Sequence, residues 1–263
     1  MSERRHAGTA YVVAPDSGSG PGVVVLHAWW GLTSFFKGVA DRLADAGFVA
    51  LAPDLFAGRT ADTPDDARAL LAGADVPSMV ALVRSSVEVL RGLPATPAGP
   101  VGVVGFSMGA SLALREAAVE PGSVAAVSAF YGTTDVDFDP VTAAVQLHIA
   151  DFDEFASDDD WVEMEAHMRL VGLDPDVHRY PGTSHWFMEA DREVAHSAGA
   201  ADLAWGRTVE FLHRHLDPVV GDRPADAPDP GAAPFPDATA TVDRDDTGTA
   251  DTGGDTGGGT DGQ

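Results

Sequence analysis

The sequence predicts a single α/β domain: a mostly parallel sheet of about seven strands with helices on both faces. Three observations carry that prediction. Short apolar runs alternate with segments of helical spacing from residue 9 to residue 216. Many of the runs are apolar at successive positions, as strands buried between two helix layers are. The chain of 263 residues is long enough for one domain with a sizeable core and short for two.

The elements follow in order. Residues 9–14, "TAYVVA", form one strand before the main alternation. Residues 22–27, "GVVVLH", are a β-branched run after a Gly/Ser/Pro loop, so they read as a buried strand. Residues 33–46 have helical spacing and stop at Gly47. Residues 48–52, "FVALA", are a strand that ends in Pro53-Asp54. A helix over 76–93 is followed by a buried strand over 101–105, "VGVVG", and a helix over 108–119. Strands at 124–131 and 145–149, a helix at 159–171, a strand at 176–180 and a final helix at 197–216 complete the domain, taken as 1–217. Only residues 132–144 separate the strands at 124–131 and 145–149, too few for a cap domain. From 218 to 263 the composition turns to Pro, Gly, Asp, Thr and Ala. Such a segment cannot bury enough surface to offset its ordering entropy, so it is expected to be a disordered acidic tail.

Composition excludes several functions. The 41 acidic residues against 16 basic ones give a formal charge of −25, and Lys37 is the only lysine. That field repels nucleic acid and anionic membranes. It also repels itself unless salt screens it, so a halophilic, salt-dependent fold is expected. Cysteine is absent, which removes disulfides, thiolate metal sites and a cysteine nucleophile. No apolar run approaches membrane-span length and the first residues lack an apolar signal core; both fit a cytoplasmic protein.

The chemistry starts at residues 104–111, "VGFSMGAS", which contain Gly-x-Ser-x-Gly. Ser107 stands directly after a predicted strand and opens a predicted helix, the context in which this pattern exposes a nucleophile. Gly105 and Gly109 fit because the turn is too tight for side chains on either side. A serine needs a base, and the base needs an orienting acid. Both follow in chain order. "ADFDEFASDDD" comes after the strand at 145–149, and "PGTSHWFMEAD", with His185, after the strand at 176–180. Asp153 is favoured as the acid, with Asp151 as rival; Asp158, Asp159 and Asp160 read as charges on a helix N-terminus. The oxyanion donors are the backbone N–H groups of Met108, at the helix start, and Trp29, in the loop "HAWWGLT". Trp30, His27, Phe155 and Trp186 are the candidate pocket lining, with core packing an equal alternative for Trp30. His148 lies within a strand and reads as a hydrogen-bonded core residue. His213 and His215 read as surface residues, and no pair has metal-ligand spacing with supporting carboxylates.

These residues resemble one family. "VVVLHAWWGLTSFFKGVADRLADAGFVALAPDLFAGR", "VGVVGFSMGAS", "LHIADFDEF" and "YPGTSHWF" are similar, in order and spacing, to the dienelactone hydrolase family over about residues 22–216. The resemblance implies a small, lidless alpha/beta hydrolase. It also supports Asp153, because the family's acid follows His-x-Gly-x-x-Asp, matched here from His148 with Ala150 in place of Gly. Three positions depart from the namesake lactonases: Ser107 stands for their Cys, Ala28 for their Glu, and Glu189 for an Arg that holds a substrate carboxylate. The reading is a hydrolase of small carboxylic esters or lactones working through Ser107, His185 and Asp153. It needs no cofactor or metal, and the protein is a monomer or homodimer. The rivals are an acyltransferase or peptidase on the same three residues, and a non-catalytic binding protein of this fold.

Overall fold

The computed structural model describes residues 8–217 and 239–242. Eight strands and six helices follow in the order β1 (Gly8–Val13), β2 (Gly22–Leu26), α1 (Ser34–Asp45), β3 (Val49–Pro53), α2 (Pro64–Ala72), α3 (Val76–Gly92), β4 (Val101–Phe106), α4 (Met108–Val119), β5 (Val124–Phe130), β6 (Ala144–Phe152), α5 (Asp158–Leu170), β7 (Asp176–Ser184), α6 (Ala198–Leu216) and β8 (Thr239–Val242). The sheet order is β7-β6-β5-β4-β2-β3-β1-β8. β1 runs antiparallel to β3 and β8, and the other pairs are parallel. This is the alpha/beta hydrolase architecture.

Each central strand is buried on both faces, which is why its sequence shows no alternation. Along β2, Val24 and Leu26 join one core with Val83, Val87 and Leu90 of α3, Leu112 and Ala113 of α4, and Trp161 and Met168 of α5. Val23 and Val25 join the other, with Phe36, Val39 and Leu43 of α1 and Phe211 and Leu212 of α6. The chain passes from β2 to β3 on one side and then returns to β4 on the other. The order therefore reverses between β2 and β4, and their carboxyl ends open the crevice where such sheets bind ligands.

Four differences from the sequence reading stand out. α2 was not expected; only Ala67 of it is buried, so it carries almost no apolar periodicity. β6 and β7 run on to Phe152 and Ser184, past the expected ends at 149 and 180. Their register shifts between Ala150 and Phe152. Thr239–Val242 forms an edge strand on β1, within a segment read as tail without structure. The rest of the expected disordered tail, 218–238 and 243–263, lies outside the described residues. No insertion separates β5 from β6 beyond residues 131–143.

Candidate active site

Ser107 sits between the last residue of β4 and the first of α4 with φ 53° and ψ −115°, a conformation that costs an L residue about 1–3 kcal/mol. The surroundings enforce it. A Cβ on Gly105 would run into the Gly109 carbonyl, one on Gly109 into the Leu26 carbonyl, and one on Gly132 into the Ser107 carbonyl. The Ser107 N–H donates to Phe130 O at 2.9 Å, which ties the turn to the end of β5. The turn thus carries the serine clear of the sheet at the positive end of α4.

His185 lies immediately beyond β7, and its imidazole is buried. Nε2 is 2.9 Å from Ser107 Oγ, and Nδ1 is 2.8 Å from each carboxylate oxygen of Asp153. A carboxylate can only accept, so Nδ1 carries the proton and Nε2 is left to accept from the serine. The Asp153 side chain is 3% exposed, and its Oδ1 also accepts from the Phe155 and Ala156 N–H groups at 2.8 and 3.2 Å. Asp151 points elsewhere: its Oδ2 accepts from Gly182 N at 2.8 Å and holds the extended end of β7. The structure therefore brings Ser107, His185 and Asp153 together and leaves Asp151 apart.

Met108 begins α4, so its N–H has no acceptor within the helix. Trp29 is the first corner residue of a turn closed by Gly31 N to Ala28 O at 3.2 Å, and such corner N–H groups point outward. Both stand at the carboxyl ends of neighbouring strands, β4 and β2.

The four aromatic candidates divide. Trp30 and Trp186 line a cavity of about 870 Å³ that also has His185 and Asp153 in its wall. Phe155 is not part of that wall. It packs instead on the imidazole, 4.7 Å between ring centroids, and on Trp29 at 5.3 Å. His27 is fully buried and is not in that wall: its Nε2 accepts from Leu55 N–H at 3.1 Å, and its Nδ1–H donates to Ala28 O at 2.6 Å. Burial lowers it to about 4, so it stays neutral and clasps the loop after β2 to the loop after β3. The expectation that His27 lines the pocket is corrected by that burial. His148, likewise buried, is bonded to Tyr180, Ser128, Gln146 and Thr208 inside the sheet–α6 contact.

Two residues beside the imidazole were missed as a pair. The Tyr131 ring lies 4.8 Å from the His185 ring, and its hydroxyl donates to Glu189 Oε1 at 2.8 Å. Glu189 is fully buried, and burial pushes it up to about 8; Asp191 adds to the rise. The Tyr131 hydroxyl, Arg192 and the Trp30 indole pull it back. The Trp30 N–H faces Glu189 without the alignment of a full hydrogen bond. At neutral pH the carboxyl is therefore protonated. The pair joins the end of β5 to the loop after His185. The signal for it in the sequence was the Glu four residues after His185, where solvation is the ordinary reading of a carboxylate.

The sequence profile of the dienelactone hydrolase family matches residues 9–216. Protein usf of Aquifex pyrophilus is 34% identical over 215 residues, covering 78% of this chain and 93% of its own. The carboxymethylenebutenolidase of Rhodococcus opacus is 29% identical over 214 residues, covering 76% and 84%. Among solved structures, dienelactone hydrolase from Anabaena variabilis superposes with a TM-score of 0.59 at 21% identity, covering 80% of this chain and 92% of that one.

Proposed function

The chain belongs to the dienelactone hydrolase family, and from that premise we propose that it is a serine hydrolase of small carboxylic esters or lactones working through Ser107, His185 and Asp153. One observation carries the reading: a single buried imidazole bridges a serine in a strained turn and a buried carboxylate, at 2.9 and 2.8 Å.

The reaction follows from the geometry. Ser107 Oγ attacks the acyl carbon while His185 Nε2 takes its proton. Asp153 holds the proton on Nδ1 and stabilises the imidazolium. The developing oxyanion is met by the N–H groups of Met108 and Trp29, donors already oriented before reaction and so costing no reorganisation. The acyl carbon–oxygen bond to the leaving group breaks as His185 returns its proton to that oxygen. Water then attacks the acyl-enzyme, His185 accepts its proton, and Ser107 Oγ leaves with that proton while the carboxylic acid is released.

The test is labelling and turnover together. Diisopropyl fluorophosphate is expected to modify Ser107 alone, and short-chain aryl esters are expected to be hydrolysed. Ser107→Ala should lose at least about 10³ in kcat. A folded parent that neither takes the label at Ser107 nor turns over any ester removes the proposal.

A further inference from the structure

The cavity beside His185 has His185 but not Ser107 in its wall. In the reaction above, His185 delivers its proton to the leaving oxygen, so the leaving group must lie on the imidazole side of the serine. The acyl group has its place on the other side, against the oxyanion donors.

The wall has an unusual composition. Seven of its nineteen residues are carboxylates, against 41 acidic residues in the whole chain of 263; its only guanidinium is Arg192. Four of those carboxylates are already engaged. Asp153 holds His185, Asp151 holds Gly182 N, Asp158 pairs with Arg179 at 3.3 Å, and Asp191 takes the Thr33 hydroxyl at 3.0 Å and Arg192 at 3.6 Å. The carboxylates of Asp62, Glu154 and Glu193 have no partner among the described residues. Arg192 is engaged through its two terminal nitrogens, with only Nε left without an acceptor. It lies over the Trp30 ring at 3.9 Å and donates to the Asp62 carbonyl at 3.1 Å.

The aromatic part of the wall supplies the second observation. Trp161, 1% exposed, and Trp186 each have an indole N–H that is buried without an acceptor. Trp186 also stacks on Trp29 at 5.8 Å and packs on Phe155 at 5.2 Å, and both Trp186 and Phe155 lie against the imidazole, edge-on and tilted. An occupant that suits this wall carries apolar bulk for the rings, an oxygen for an indole N–H, and positive charge for the three unpaired carboxylates. Ring faces and carboxylates both attract a cation, and quaternary ammonium groups are bound by this combination. An anionic group would meet the carboxylates with Arg192 already engaged. Asp62, Glu154 and Glu193 are exposed, so a neutral alkyl group would gain nothing from them.

We propose that this cavity is the leaving-group subsite and that it selects esters of cationic alcohols, of the aminoalkyl or quaternary-ammonium class, over neutral and anionic ones. The proposal rests on the serine-hydrolase reading. The step balances without a further reactant: the bond from Ser107 Oγ to the acyl carbon forms, the bond to the leaving oxygen breaks, and the serine's proton reaches that oxygen through His185. The alcohol departs neutral at oxygen and still cationic at nitrogen.

Three acetate esters that share one acyl group test it: acetylcholine, its carbon isostere 3,3-dimethylbutyl acetate, and 4-acetoxybutanoate. Each kcat/KM is divided by the ester's own hydroxide-catalysed rate, in the lowest salt at which circular dichroism shows the chain folded. The expected order is cationic, neutral, anionic, with acetylcholine ahead of its isostere by about tenfold. The combined variant Asp62→Asn, Glu154→Gln, Glu193→Gln should bring that ratio to within about twofold. Three carboxylates on segments that do not line the cavity, changed as Asp16→Asn, Asp45→Asn and Glu88→Gln, should leave it near tenfold and so separate local recognition from net charge. Equal normalised rates for acetylcholine and its isostere overturn the subsite while the esterase reading stands. So does a ratio that falls as far in this control variant as in the cavity variant. No hydrolysis of any of the three esters overturns the subsite; the label at Ser107 then decides whether the serine-hydrolase reading falls with it.

Discussion

Replacing Asp153 by Asn tests the site at its most specific point. Both Asp153 oxygens stand 2.8 Å from His185 Nδ1, and a carboxylate there fixes the proton on Nδ1. An amide can present its NH₂ to the same nitrogen. The imidazole then carries its proton on Nε2, the atom 2.9 Å from Ser107 Oγ, and has no lone pair for the serine. Loss of tautomer control of this kind lowers kcat by about 10⁴, or about 5.5 kcal/mol of transition-state stabilisation. The fold should survive, because the Asn carbonyl can still accept from Phe155 and Ala156 as Asp153 Oδ1 does. The comparison is Asp151→Asn. Its carbonyl keeps the bond to Gly182 N, and it touches no ring nitrogen. Steady-state hydrolysis of p-nitrophenyl acetate, with circular dichroism of each variant, is the assay. Asp153→Asn should fall by about 10⁴ and Asp151→Asn by less than about threefold. Asp153→Asn within tenfold of the parent, or Asp151→Asn falling as far, refutes the assignment.

Three further outcomes follow. Glu189 has its folded value raised from 4.5 to about 8, so its contribution to stability is present at low pH and lost as pH rises through 8. The full swing is about 5 kcal/mol. Urea midpoints at pH 5 and pH 9 should therefore lie closer together in Glu189→Gln than in the parent; an unchanged gap contradicts the burial argument. Gly109→Ala places a methyl group against the Leu26 carbonyl, backbone against backbone, and should cost about 3 kcal/mol or more, read as a fall in the thermal midpoint; a shift under about 2 °C would show that the elbow relaxes. A chain of net charge −25 should unfold at a higher temperature in molar KCl than in dilute buffer, since the screening length drops from about 10 Å to about 3 Å; identical midpoints would show that the acidity is not a salt adaptation.

What could be read in the sequence was what local rules control. Gly105 is demanded by the Gly109 carbonyl within the turn itself, while Gly109 is demanded by the Leu26 carbonyl of β2; the pattern and its strand–helix setting still mark where Ser107 is held. What could not be read depends on tertiary partners. The strand read at 176–180 ends at Tyr180, yet the Asp151 carboxylate captures Gly182 N and the pairing continues to Ser184. α2 shows only one buried residue, and its signals were terminal ones: Thr63 accepts from Asp66 N, and Pro64 stands at the first position. His27 looks like a site residue because it ends a strand beside the elbow. Only the Leu55 N–H, delivered from another strand's loop, shows that its ring is spent on structure.

The distribution of strain and of buried polarity points the same way as the chemistry. Among the described residues four non-glycine residues have positive φ, and Ser107, Tyr131 and Trp186 are three of them. Each immediately follows, or lies within two residues of, the carboxyl end of a different strand, β4, β5 and β7. Tyr131 and Trp186 both pack on the His185 ring, at 4.8 and 5.1 Å. Conformations of this kind persist only where the surroundings over-determine them, and here the sheet, the elbow glycines and the Tyr131–Glu189 bond do so. The imidazole is thereby fixed between rings before substrate arrives, so its reorganisation is not paid during the reaction. The acidic wall beside it acts at the other end of the cycle. Ester hydrolysis turns an uncharged acyl group into a carboxylate, and under the proposed reading the negative field of Asp62, Glu154 and Glu193 disfavours that product's return to the neighbouring acyl side of Ser107. The same charges that draw in a cationic alcohol ester thus oppose inhibition by its acid. Acetate should accordingly inhibit the parent more weakly than it inhibits the Asp62→Asn, Glu154→Gln, Glu193→Gln variant, and equal inhibition constants would separate the wall from product release.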